Sequence, residues 1–188
     1  LYNTLDCING LISFEKSSEA QAAIVSLSKF LRFAIKADNV VPLQKELEYV
    51  RNYLFIEKIR YQNRLLVLID VPEELNPYAI PKLTLQPLIE NAIIHGLADL
   101  PQGGEILIIC DTHKTDLRIR ILDDGVGIEP DRLAYIQAML NDSSGIFHQE
   151  NGMGIKNVAQ RIRLRCGSRY GVTISNRAEG GTCATVLL

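Results

Sequence analysis

Apolar positions in the first third of the chain recur every three or four residues, the period at which side chains share one face of an α-helix. Ala23, Ile24, Leu27, Phe30, Leu31, Ala34 and Ile35 form such a stripe within residues 20–36, and Ser17 and Ser18 can cap the helix they predict. Asp38, Asn39 and Pro42 break it. A second stripe, Leu47, Val50, Leu54, Phe55 or Ile56, and Ile59, predicts a helix over residues 43–61. Its charged residues, Lys45, Glu46, Glu48, Arg51, Glu57, Lys58 and Arg60, read as a solvated face. Residues 1–62 are therefore expected to be helical almost throughout.

The pattern changes near Asn63. Residues 64–71 read as a strand, and Pro72, Pro77 and Pro81 punctuate the next ten residues. A helix is expected over 84–97, then strands over 105–111 and 116–122. Pro130 opens a helix to about Leu140, residues 141–151 form a polar loop, and a further helix spans 153–165. Strands over 171–176 and 182–188 flank the turn Glu179-Gly180-Gly181. The layout is α+β: an α/β sandwich over residues 63–188, preceded by a helical region over residues 1–62.

With 188 residues, 47% of them hydrophobic, the chain has enough apolar side chain for real cores, which excludes a disordered or fibrous protein. A net charge of -2 argues against a nucleic-acid partner, which calls for a basic excess. The longest apolar runs are five residues, such as Leu65–Ile69 and Ile106–Cys110, against the roughly 20 needed to cross a bilayer. The chain opens without Met and is expected to be a soluble fragment of something longer. Cys7, Cys110, Cys166 and Cys183 are too scattered for a zinc site, and they read as reduced thiols within apolar segments.

Three short patterns carry candidate chemistry. The first, Pro87 to Gly96, is a helix with Glu90 and Asn91 adjacent and His95 one turn on. An Asn carbonyl and a carboxylate there could hold Mg²⁺, or the polar stripe could simply face water. The second, Asp123-Asp124-Gly125-Val126-Gly127, comes directly after a strand, and its glycines either let the backbone approach a ligand or form an ordinary turn. The third, Asn151-Gly152-Met153-Gly154-Ile155-Lys156-Asn157, opens a helix whose N–H groups can receive phosphate. It lacks both the third glycine and the preceding strand of a dinucleotide fingerprint.

Taken in order, with Gly181-Thr182 closing the last strand, these patterns resemble the GHKL (Bergerat) ATP-binding fold of histidine kinases, gyrase, Hsp90 and the mismatch-repair ATPases. Leu1-Tyr2-Asn3-Thr4-Leu5, Leu27 to Arg32, Glu46-Leu47 and Tyr53 to Glu57 with Arg60-Tyr61 resemble the LytS/YehU-type sensor histidine kinases of bacterial two-component systems. The likeness covers nearly the whole chain.

That resemblance implies ATP and Mg²⁺ as cofactors and transfer of the γ-phosphoryl group to a histidine. In the family this histidine would fall just before Leu1, so His95, His113 and His148 do not stand in its context. It implies that Asp123 accepts a hydrogen bond from the adenine 6-amino group, where guanine would present a carbonyl. Gly125 and Gly127 make room for the base, and Thr182 helps to hold it. Asn91 is the expected Mg²⁺ ligand, and Glu90 acts through a metal-bound water or on the attacking group. His95 is either a phosphate contact or a packed helix residue. Gly152, Gly154 and Asn157 face the phosphates. Ile94 stands where the family commonly has Lys, so a cationic phosphate contact is either missing or supplied by Lys156, Arg161 or Arg163. Residues 141–151 read as a short ATP lid, mobile when the site is empty.

The implied partners are a second copy, paired through the N-terminal helices as a homodimer, and a response regulator. The implied location is the cytoplasmic side of an inner or plasma membrane sensor, with the membrane met only through segments upstream. The alternatives are a GHKL-type ATPase that drives a conformational clamp, and a non-catalytic nucleotide-binding module.

Overall fold

The computed structural model describes the chain except for residues 1, 36–37, 63, 98–99, 101–102 and 143–152. The described elements run α1 (Tyr2–Ser13), α2 (Ser17–Ile35), β1 (Val40–Pro42), α3 (Leu43–Arg60), β2 (Leu65–Asp70), β3 (Ala79–Pro81), α4 (Gln86–Asn91), β4 (Gly104–His113), β5 (Asp116–Asp123), α5 (Pro130–Asn141), α6 (Met153–Cys166), β6 (Gly171–Asn176) and β7 (Thr182–Leu187). The main helices and the five longer strands follow the periodicities, whereas the short antiparallel pair β1 and β3 was not expected from them. None of these helices is long and apolar enough to cross a membrane.

Five strands form one sheet in the order β2-β4-β5-β7-β6. Strands β2 and β4 run parallel and the other pairs antiparallel, with Ile106 opposite Asp123 and Leu122 opposite Cys183. Strand β5 alternates cleanly: Leu117, Ile119, Ile121 and Asp123 are buried, and the residues between them are half-buried. The two-residue repeat of a strand thus carries Asp123 into the core layer after three apolar residues. The inward face (Ile106, Ile108, Ile119, Ile121, Ile174, Val186) packs against α4 and α6 through Leu88, Ile89, Ile155, Val158 and Ile162.

Helix α3 joins two cores. Leu43, Leu47, Val50 and Leu54 complete the core beneath the sheet, whereas Ile56 joins Ile8, Leu11, Ala20, Ala23 and Leu27 in a smaller helical cluster. Packing therefore makes no break at residue 62, because the first turns of α3 lie under the sheet. The apolar stripe of α2 also divides. Ala23 and Leu27 face inward, while Ile24, Leu31 and Ile35 remain exposed.

The solvated face expected on α3 is corrected at two positions. Glu46 and Glu57 are buried, 0% and 3% exposed. The Glu46 carboxylate accepts the backbone N–H groups of Leu83, Thr84 and Leu85 at 2.5, 3.1 and 3.2 Å. Glu57 pairs with Arg60 at 2.7 Å. The hold of Glu46 on these residues, together with Leu83 at φ 59°, explains why α4 begins at Gln86 and not at Thr84. Those three N–H groups are already satisfied from outside the helix. Of the cysteines, Cys110 is buried, Cys7 and Cys183 are half-buried and Cys166 is exposed, and all four are free.

Candidate functional site

After Asn91 the helix widens into a π-helical turn, Ala92–Leu97. Such turns insert an extra residue per turn and displace the backbone locally. Here the turn brings Gly96 against the Asp123 carboxylate, where a Cβ would stand 2.9 Å from Oδ1. Val126 N–H donates to the Gly96 carbonyl at 3.1 Å, so the loop after β5 is stitched to this turn. Gly125 is required here, since a Cβ on it would overlap the backbone of Gly96. At φ +81°, Gly181 meets the same limit against the backbone of Asp123.

Asp123 is 1% exposed. Oδ1 accepts Gly125 N–H at 3.0 Å and Thr182 N–H at 3.1 Å, and Oδ2 accepts the Thr182 hydroxyl. Arg177 donates to the Asp123 carbonyl at 2.7 Å. The donors on its carboxylate stabilise the buried charge and fix its plane. The neighbouring Asp124 is exposed and accepts Glu105 N–H at 2.7 Å.

Asp123 closes one end of a cavity of about 410 Å³. Its walls are largely apolar: Ile121, Ile136, Met139, Ile155, Ile174 and Ala184. Asn91, His95, Gly127, Thr182, Glu129 and Arg132 also line it. An apolar slot with a few converging polar groups suits a flat heteroaromatic base with a polar tail. The Asn91 amide N–H donates to the Pro87 carbonyl at 2.5 Å. A carbonyl can only accept, so this bond fixes the flip of the amide and leaves Oδ1 as its ligand atom. Among the described residues no three His, Cys, Asp or Glu side chains cluster as a metal cage. A single amide oxygen fits Mg²⁺ carried by substrate phosphates, because that ion keeps most of its ligands from phosphate and water.

The sequence candidates are brought together unequally. Asn91, His95, Asp123, Gly127 and Thr182 share the cavity, and Gly125 shapes its end from behind. Glu90 does not line it. Gln86 holds the Glu90 carboxylate through a 2.5 Å hydrogen bond, and the carboxylate lies toward Tyr49, Tyr53 and Glu57 of α3. Gly154 is exposed in the first turn of α6 beside Pro87, and Asn157 is exposed on the same helix; neither lines the cavity. Gly152, and residues 143–151 of the expected lid, lie outside the described residues.

None of the three candidate phosphate cations lines the cavity. Lys156 is buried, 4.0 Å from the Asp142 carboxylate. Arg161 donates to the carbonyls of Lys82 and Leu83 at 2.8 and 2.7 Å, and Arg163 lies near Gly171. Among the described residues, Arg132 is the Lys or Arg in the cavity wall, on a helix that carries no sequence motif. Asn176 is equally silent in the sequence. It accepts Ile128 N–H at 2.9 Å and donates to the Ile128 carbonyl at 2.7 Å, which pins the glycine loop to β6.

Sandwich, loop and cavity define a GHKL-type nucleotide-binding domain. The chain belongs to the histidine kinase-, DNA gyrase B- and HSP90-like ATPase family, which matches residues 80–188, and a histidine kinase family matches residues 1–65. Sensor histidine kinase YpdA of Escherichia coli (strain K12) is 35% identical over 184 residues, covering 97% of this chain and 30% of that protein. Sensor histidine kinase YesM of Bacillus subtilis (strain 168) is 33% identical over 183 residues, with the same 97% and 30% coverage. In fold, the chain resembles the histidine kinase domain of a blue-light activated histidine kinase from Erythrobacter litoralis EL346. The TM-score is 0.54 at 15% identity, over 94% of this chain and 82% of that one. The chain spans 30–65% of the length of the first curated relatives it matches.

Proposed function

We propose that this chain is the catalytic region of a two-component sensor histidine kinase, binding ATP and transferring its γ-phosphoryl group to a histidine. The observation that carries this reading is the buried Asp123 carboxylate, fixed by Gly125 and Thr182 at the end of an apolar slot that Asn91 and His95 also line. The adenine 6-amino group donates to Asp123, and the apolar walls cover the faces of the ring. Asn91 offers its carbonyl oxygen to a Mg²⁺ carried by the phosphates, which supplies charge neutralisation there. His95 and Arg132 are the wall residues that contact the polar tail.

In the transfer, the acceptor imidazole nitrogen bonds to the γ-phosphorus as the bond to the β–γ bridging oxygen breaks, and ADP leaves with that electron pair. The imidazole proton passes to a base, for which Glu90 stands on the helical side of α4. That placement favours the kinase reading over a clamp ATPase, which needs its acid beside a water in the cavity. An aspartate on a response regulator is the later recipient. The second copy pairs through α1 and α2, whose exposed Leu5, Ile12, Ile24, Leu31 and Ile35 a dimer would bury. The catalytic region lies on the cytoplasmic side of a membrane sensor.

The test mixes this chain with a longer one that carries the acceptor histidine but has Asp123→Asn and Asn91→Ala, so that only this chain can supply ATP. Acid-labile label on the longer chain from γ-labelled ATP is the expected result. Acid-stable label on this chain, pointing to Ser or Thr, would overturn the reading.

A further inference from the structure

Glu90 and Asn91 are neighbours in sequence but serve different sides of α4, and a chain of hydrogen bonds holds Glu90 on its side. The Tyr49 hydroxyl donates to Gln86 Oε1 at 2.6 Å, and Gln86 Nε2 donates to Glu90 Oε1 at 2.5 Å. Tyr49 is 3% exposed. Its ring stacks on Phe30 at 4.6 Å and meets Phe33 at 4.5 Å, both on α2. Burial, with the charges of Glu46 and Glu90 nearby, raises its phenol well above the ordinary range, so the hydroxyl stays a donor.

The direction of each bond is set at the Glu90 end: a carboxylate only accepts, so Gln86 presents Nε2 to it and Oε1 to Tyr49, and the phenol must then donate. Reversing the amide would set oxygen against oxygen at Glu90. The orientation of Glu90 is therefore set from α2 and α3, across the joint between the helical region and the sandwich. Around it stand Tyr49, Tyr53 and Glu57 of α3 and Gln86 of α4.

We propose that Tyr49 and Gln86 are positioning residues for phosphoryl transfer: they aim the Glu90 carboxylate at the acceptor side, where it takes the imidazole proton, and play no part in holding nucleotide. This rests on the kinase reading above. It also makes the transfer rate depend on how α2 packs against α3, since Phe30 and Phe33 fix the ring whose hydroxyl starts the chain.

The test measures single-turnover transfer in the mixed-chain assay, with ATP affinity measured separately. Tyr49→Phe keeps the ring and its stacking and loses only the hydroxyl. It should slow transfer by about tenfold while ATP affinity stays within about twofold, the mark of a group that acts on the chemical step alone. Gln86→Leu should slow transfer at least as much, again without loss of ATP affinity. Transfer at the unsubstituted rate in both variants would overturn the inference. So would a parallel fall of rate, ATP affinity and melting temperature in Tyr49→Phe, which a merely structural hydroxyl would give. Absence of transfer by the unsubstituted chain, with ATP still bound, would fall on the kinase reading, and the inference would fall with it.

Discussion

Asp123 receives three hydrogen bonds from its own surroundings, yet a carboxylate has room for about four. Its remaining acceptor capacity, at the end of an apolar slot, suits an exocyclic amine. Asp123→Asn keeps the shape but replaces one acceptor oxygen with a donor, which then faces Gly125 N–H, Thr182 or the adenine amine. ATP affinity should fall by about 1–3 kcal/mol, or roughly five- to 150-fold. Calorimetric titration checks this, and unchanged affinity would deny Asp123 the role. This residue was legible in sequence through the Asp-x-Gly-x-Gly pattern that follows a strand and its resemblance to the GHKL fold; the alternation that buries it beside Leu117, Ile119 and Ile121 emerges in the structure. Arg132 and Asn176 were not legible. Their roles depend on how α5 and β6 meet the glycine loop, a juxtaposition that no local pattern encodes.

At the scale of elements, the main device is α3 reaching across to hold the backbone that leads into α4. Glu46→Ala would leave the N–H groups of Leu83, Thr84 and Leu85 without their acceptor in a buried place. It should lower stability by roughly 2–5 kcal/mol, read as a lower denaturant midpoint. Sequence reading put Glu46 among solvated charges because it falls between Lys45 and Glu48. Helical period alone does not distinguish an exposed glutamate from one whose acceptors are spent on a distant backbone. The π-helical turn was equally hidden, since Ala92–Leu97 carries the apolar spacing of an ordinary helix.

Burial also pushes the Glu57 carboxyl above its ordinary value of 4.5, against the opposing pull of Arg60. Between the ordinary and the raised value the folded chain binds more proton than the unfolded one. The stabilising contribution is present below the ordinary value and is lost as pH rises through the folded one. Glu57→Gln cannot ionise, so its melting temperature should fall less than that of the unsubstituted chain as pH is raised from about 4.5 toward neutrality. Parallel melting curves across that range would contradict this origin of the pH dependence.

Over the whole molecule, the order of the main helices and the five longer strands was readable because strand and helix periods differ and because Pro and Gly mark the joints; the three-residue strands β1 and β3 are too short to show a period. The joining of parts was not. Helix α3 serves both cores, and its burial beneath the sheet depends on Leu43, Leu47 and Val50 meeting β-strand residues far along the chain. The functional reading stands or falls with the cavity between α4, α5 and the sheet being an adenine-nucleotide site. Titration of the chain with ATP and GTP, each with and without Mg²⁺, tests this. Saturable binding of one ATP per chain, strengthened by Mg²⁺, is expected. GTP should bind at least about tenfold more weakly, because its 6-oxo group meets a carboxylate that only accepts. Equal affinity for GTP and ATP would contradict the assignment.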